Sequence, residues 1–162
     1  MDVTNDEAAA LAGIDLLVPD GVITAMLGPS GRGKTTLLRL VARFGDPDGR
    51  MIIFDAELLF GPGRSIPAQR RRVGYVSQEG ALFPHLNIAA NIGFGLSGAE
   101  RHSGRRVAEL LDLVDLDAGL LRRFPYKLSG EQQRVALART LAHVHPRCCS
   151  TSRSPRWTLD CA

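Results

Sequence analysis

The chain is 162 residues long, 44% hydrophobic and 23% charged, a globular composition with length for one compact domain and too little for two fused enzymes. Its formal charge of +3 comes from 20 basic and 17 acidic side chains that are interspersed, so no basic groove for nucleic acid is expected. No apolar run reaches the roughly 18 residues of a membrane span, and the acidic start Met1-Asp2-Val3-Thr4-Asn5-Asp6-Glu7 is unlike a secretory signal.

Leu11 to Val18 and Val22 to Leu27 are apolar runs of strand length joined by the turn Pro19-Asp20-Gly21. A glycine-rich stretch from Gly28 to Gly33 follows, and from Thr35 to Phe44 the leucines and a valine recur at helical spacing until Gly45 and Pro47. The predicted order is strand, loop, helix. Met51 to Phe54 and Val73 to Val76 are further predicted strands, with a loop rich in glycine, proline and arginine between them. From Pro84 the pattern turns helical: Asn87 to Leu96, then Arg105 to Leu116 with Val107, Leu110, Leu111 and Val114 on one face, then Gly130 to His143. Strands first and helices later predict an α/β core with a helical insertion. Beyond Arg147 neither periodicity continues. Cys148, Cys149 and Cys161 all fall there, an odd set with two adjacent members that suits neither a disulfide framework nor a metal chelate, and a reducing compartment is expected.

Gly28-Pro29-Ser30-Gly31-Arg32-Gly33-Lys34-Thr35 fits G-x-x-x-x-G-K-[ST], directly after a predicted strand and at the head of a predicted helix. Glycines let such a loop curl until consecutive backbone N–H groups face an anion, and the helix N-terminus adds partial positive charge. Lys34 is then placed to reach the β- and γ-phosphates of a nucleotide, and the Thr35 hydroxyl to coordinate Mg²⁺. A chance glycine-rich turn would share the spacing but not both flanking elements. The loop alone leaves small kinases, GTPases and transport ATPases open.

A second string narrows them. Leu128-Ser129-Gly130-Glu131-Gln132-Gln133-Arg134-Val135-Ala136-Leu137-Ala138-Arg139 puts a serine and a glycine before polar residues and an apolar helical face. Ser129 is expected as the N-cap, and Gly130 leaves amides open to an anion, with Glu131 and Gln132 beside them. The Ser-Gly pair by itself would equally suit a capped surface helix. The whole string closely resembles the signature of the ATP-binding-cassette (ABC) transporter ATPases, and the resemblance runs from about Leu11 to Pro146.

That resemblance implies a P-loop NTPase α/β fold with a parallel sheet and a helical signature subdomain, whose core is incomplete at the C-terminus. It divides the chain into a nucleotide-binding core over 1–83, a helical part over 84–146 and an aberrant tail over 147–162. It implies ATP and Mg²⁺ as cofactors, with the nucleotide between Gly28 to Thr36 of one subunit and Ser129-Gly130 of another. Gln78, after the strand ending Val76-Ser77, falls where the family has a glutamine that touches Mg²⁺ and the attacking water. Val73 to Leu86 resembles the importer branch, cassettes serving ferric iron, polyamines or thiamine. The implied partners are a second cassette, a pair of membrane permease subunits and, indirectly, a solute-binding protein, at the cytoplasmic face of the cell membrane. His85 is read as packing or docking surface.

Three departures from the family stand out. One glycine follows Ser129 where the family has two, and no aromatic residue precedes Phe44 where the family stacks a ring on adenine. The strand bearing an aspartate and a glutamate for Mg²⁺ and water, and the later switch histidine, are missing, so negligible hydrolysis is expected. Codon arithmetic suggests where that strand went. If each codon's last base is joined to the first two bases of the next, Trp157 into Thr158 must read GAC, aspartate. With G or C in the free third bases, Cys148 through Thr158 reads Leu-Leu-Asp-Glu-Pro-Leu-Ala-Ala-Leu-Asp, the absent family segment. Lysine occurs only at Lys34 and Lys127 against many arginines, the bias of a GC-rich gene. A frameshift near Arg147 is therefore expected to have cut the family sequence short.

Overall fold

The computed structural model describes residues 15–19, 22–47, 51–54, 56–143 and 147–150. The predicted strand residues before 15, the turn residues 20 and 21, and the tail beyond 150 lie outside them.

Helix α1, Lys34–Val41, starts directly behind the glycine loop. It ends in a Schellman arrangement, in which the Arg43 N–H donates to the Leu40 carbonyl at 3.1 Å and the Phe44 N–H to the Arg39 carbonyl at 2.8 Å. Arg43 takes the left-handed conformation this needs, φ 69°, where glycine is usual. No α1 residue is buried.

The stretch that reads as a loop after Phe54 contains an antiparallel meander. Strands β1 (Ile52–Phe54), β2 (Glu57–Gly61) and β3 (Arg64–Ser65) pair in order, Ile52 opposite Phe60 and Phe60 opposite Ser65. Leu58-Leu59-Phe60 ahead of Gly61-Pro62-Gly63 was the available signal, and Leu59 is the buried side chain it supplies. Strand β4, Val73–Val76, forms as predicted and alternates half-buried with buried residues.

Two expectations need correction. Val22 to Leu27 enters no ladder, and its large side chains stay exposed: Val22 at 55%, Ile23 at 59%, Leu27 at 92%. A strand of this composition normally has partners on both edges and cover on both faces, and among the described residues nothing pairs with it. Conversely, Arg147–Ser150, with no strand periodicity, forms β5, parallel to β4 with Val73 opposite Arg147 and Val76 opposite Ser150. Ladder bonds use only main-chain donors and acceptors, so alternation is not required to make them.

The main core lies on the helical side. Helices α2 (Ile88–Ile92), α4 (Arg105–Leu113) and α5 (Gln132–Ala142) pack together, with α5 against β4, around Val76, Ile88, Ile92, Leu110, Val114 and Val135. The apolar face predicted for Arg105 to Leu116 is buried at Val107, Leu110, Leu111 and Val114. Between α2 and α4 a short helix, α3 (Gly98–Ser103), opens on a capping box made by Ser97 and Glu100. Asn91 is fully buried in this core; its amide donates to the carbonyls of Phe83, Leu86 and Asn87, and its oxygen accepts from the Phe83 N–H at 2.9 Å. One side chain thereby pins the 83–87 loop to α2.

Candidate functional site

The phosphate-loop sequence sits where a chain enters a helix. Gly28 (φ 150°) and Gly31 (φ 80°) take backbone conformations that side chains disfavour, yet a β-carbon on either would meet nothing within 4 Å. The demand for glycine is therefore conformational, and the mouth of the loop is open, as an anion cradle requires. Pro29, Ser30, Arg32 and Thr35 are exposed, while Gly33, Lys34 and Thr36 are half-buried. The Lys34 ammonium folds back onto its own loop, donating to the Gly28 carbonyl at 2.7 Å and the Pro29 carbonyl at 2.6 Å. Among the described residues its partners are carbonyls, which leave its charge for an incoming phosphate.

Gln78 follows β4 and is exposed. Its backbone carbonyl accepts a hydrogen bond from Gln133 Nε2 at 2.6 Å, and the Gly80 carbonyl accepts from Arg139 Nη2 at 3.3 Å. Gly80 lies so close to α5 that a β-carbon there would come within 3.1 Å of the Gln132 carbonyl oxygen. The loop carrying Gln78 is thus fastened to α5 at both ends. The Arg139 guanidinium lies 5.0 Å from the Phe83 ring centre, and burial lowers its pKa. Sequence reasoning missed Gln133 and Arg139, because a polar residue on a helix gives no hint of reaching a carbonyl 55 or 59 positions away.

The expected N-cap at Ser129 is not made. Helix α5 begins at Gln132, with Glu131 in the capping position and no side-chain capping bond. Gly130, at φ 89°, turns the chain between Ser129 and the helix, leaving Ser129 and Gly130 exposed. Gln132 Nε2 donates to the Pro125 carbonyl at 3.0 Å. Glu131 Oε2 and Ser77 Oγ are buried without hydrogen-bond partners, unspent polar capacity next to Gly130 and Gln78.

The structure therefore brings Gln78 to the first turns of α5. Helices α1 and α5 each pack on β4, and no hydrogen bond among the described residues joins Gly28–Thr36 to Ser129–Gln132. The cation ligands expected from the sequence are the Thr35 hydroxyl and the Gln78 amide oxygen; among the described residues no group of three or more His, Cys, Asp and Glu side chains could hold a metal. That set suits an ion bound chiefly through phosphate and water, as Mg²⁺ is held beside nucleotides, and not a metal caged by protein. Among the described residues no helix is long and apolar enough to cross a membrane.

Residues 11–146 match the family model described as ABC transporter. The chain is 54% identical over 134 residues to the Fe(3+) ions import ATP-binding protein FbpC of Pseudomonas fluorescens, covering 82% of this chain and 38% of that protein. A protein of the same name from Mesorhizobium japonicum is 54% identical over 140 residues, 86% of this chain and 39% of its own length. The ATP-binding cassette MJ0796, solved as a dimer in a post-hydrolysis state bound to ADP and Pi, superposes with a TM-score of 0.76 at 30% identity, covering 94% of this chain and 68% of that one. For cbiO1 from Clostridium perfringens, part of the transporter complex cbiONQ, the TM-score is 0.67 at 28% identity, over 82% and 55%. The chain thus spans under two-fifths of the length of these curated relatives. A glycine loop opening α1, a glutamine after β4, a Ser-Gly turn before α5 and a family match over 11–146 together mean that the chain belongs to the ABC transporter family.

Proposed function

We propose that this chain belongs to the ATP-binding subunit of an ABC importer, holding a nucleotide at Gly28–Thr36. The observation that carries it is the open glycine loop at the head of α1 with the Lys34 ammonium lying on loop carbonyls. Loop amides and Lys34 bind the phosphates, and the Thr35 hydroxyl and Gln78 orient a phosphate-bound Mg²⁺ and a water. Mg²⁺ supplies charge neutralisation on the phosphate oxygens when bound. Residues 1–83 then form the nucleotide-binding part and 84–146 the helical part. Ser129, Gly130, Glu131 and Gln132 are offered to the nucleotide of a second cassette, which the exposure of Ser129 and Gly130 favours.

The FbpC relatives point to ferric iron as the cargo, moved by a pair of permease subunits that this subunit would drive from the cytoplasmic face of the membrane, with a solute-binding protein delivering the cargo. One observation favours a second reading, nucleotide binding without turnover. The strand beside β4 is Arg147-Cys148-Cys149-Ser150, which brings no carboxylate to polarise water. Loss of a positioned general base costs about 10²- to 10⁴-fold in rate. We propose that a one-base shift near Arg147 replaced the acidic segment. Calorimetric titration with Mg-ATP tests the first reading, with saturable binding expected and its absence refuting it. Phosphate release tests the second, which turnover at the rate of a full-length cassette would overturn.

A further inference from the structure

The feature that the functional reading leaves unused is a buried cation with no ion pair among the described residues. Arg71 is 3% exposed. Its Nη1 donates to the Leu40 carbonyl at 2.8 Å and the Val41 carbonyl at 2.7 Å, its Nε to the Ile66 carbonyl at 2.8 Å, and its Nη2 to the Leu59 carbonyl at 3.5 Å. Burial, and then the nearby Arg43 charge, lower its pKa. A guanidinium remains protonated under such pressure, so among the described residues its charge is met by carbonyl dipoles, including those at the negative end of α1.

Position gives this contact a role. Helix α1 buries no residue fully, its Leu37, Leu38, Leu40 and Val41 being half-buried, so apolar packing holds it only in part. Its last carbonyls are held by Arg71, and its first turn carries Lys34 and Thr35. Arg71 also stands two residues ahead of β4, whose far end delivers Gln78. The backbone on each side of the contact is held in a costly shape: Arg43, just past α1, has φ 69° and Arg72, just before β4, has φ 52°. Left-handed conformations at non-glycine residues persist where surrounding contacts over-determine them.

We propose that Arg71 is a positioning residue for the nucleotide site, setting the spacing between Lys34 and Thr35 on one side and Gln78 on the other. The inference rests on the Mg-nucleotide reading above. A planar fork with donors in several directions spans four carbonyls from three chain segments; an ammonium on a flexible stem cannot hold them at one geometry. Mg²⁺ is the probe of the spacing, because Thr35 and Gln78 are the side chains that would hold it, whereas the loop amides would bind phosphate without help from Gln78.

The test uses the whole chain as wild type, Arg71→Lys and Arg71→Met, titrated calorimetrically with ATP in the presence and absence of Mg²⁺. The readout is the ratio of the two affinities, taken beside the thermal midpoint of each variant. Arg71→Lys is expected to keep Mg-free ATP affinity within about twofold while the gain from Mg²⁺ falls about fivefold or more, and Arg71→Met to lose more of that gain. An unchanged Mg²⁺ gain in Arg71→Lys, or an equal loss with and without Mg²⁺, overturns the proposal, and so does Arg71→Lys failing to fold, since the residue is then a structural anchor only. If Arg71→Met alone fails to fold, Arg71→Lys decides. A wild type that binds no ATP overturns the nucleotide reading itself, an outcome distinct from a wild type that binds while the variants keep its Mg²⁺ gain.

Discussion

Replacing Lys34 with methionine keeps an apolar stem and removes the charge, so it isolates what the ammonium contributes. Nζ is shared between the Gly28 carbonyl at 2.7 Å and the Pro29 carbonyl at 2.6 Å. Against a phosphate at about 4 Å, in a partly solvated site with an effective dielectric of about 20, the attraction is about 4 kcal/mol. Leaving the carbonyls costs about 1 kcal/mol for each bond. The difference is about 2 kcal/mol, or about 30-fold in Kd. Calorimetric titration at low ionic strength should therefore find Mg-ATP bound about 30-fold more weakly by Lys34→Met, with AMP affinity unchanged because AMP has no β- or γ-phosphate. A loss for ATP below about threefold, or an equal loss for AMP, would refute the assignment of the ammonium to the distal phosphates.

Three further outcomes are expected. Asn91→Leu deletes the buried amide's bonds to the 83–87 loop and should cost about 3 kcal/mol, read as a fall of about 1.5 M in the urea midpoint at an m-value of about 2 kcal/mol/M; an unchanged midpoint would show that the loop needs no pin. The Ser97 hydroxyl, followed by the Ser97 N–H, holds the Glu100 carboxyl below its usual pKa. Its capping contribution is therefore complete above the ordinary carboxylate pKa and lost as pH falls through the lowered one, so an NMR titration of Glu100 should give a lower midpoint in wild type than in Ser97→Ala, and equal midpoints refute the capping box. Sequencing the DNA from the Arg147 to the Thr158 codon should show that the frame offset by one base encodes aspartate and glutamate at the Ser150-Thr151 and Thr151-Ser152 junctions; any other residues there dismiss the frameshift.

Much of the fold was legible because its signals are local. The α4 face repeats at helical spacing, and β4 is a compact apolar run between polar neighbours; both formed where the pattern put them. The meander was hidden because β3 is only two residues long and β2 sits among turn residues. Val22 to Leu27 misled for a different reason: its composition reports a strand, but pairing depends on partners elsewhere in the chain. At the candidate site, spacing placed the glycine loop at the head of α1 and Gln78 after β4. It overstated Ser129 as a cap, since the conformation of Gly130 decides where α5 begins. The Arg71, Gln133 and Arg139 contacts to carbonyls carry no sequence pattern, because any carbonyl can accept and only the tertiary arrangement selects which.

The placement of the main core among α2, α4, α5 and β4 bears on the order of assembly. Its members from Ile88 to Leu116 are near neighbours along the chain, so their loop-closure cost is small and collapse among them is fast. The β4–β5 ladder joins residues 73–76 to 147–150, and it waits until the last of these leaves the ribosome. During synthesis the helical half is thus expected to reach its native packing first, with Leu16, Leu17 and Ile23 still in water. Those side chains offer a chaperone its longest opportunity to bind.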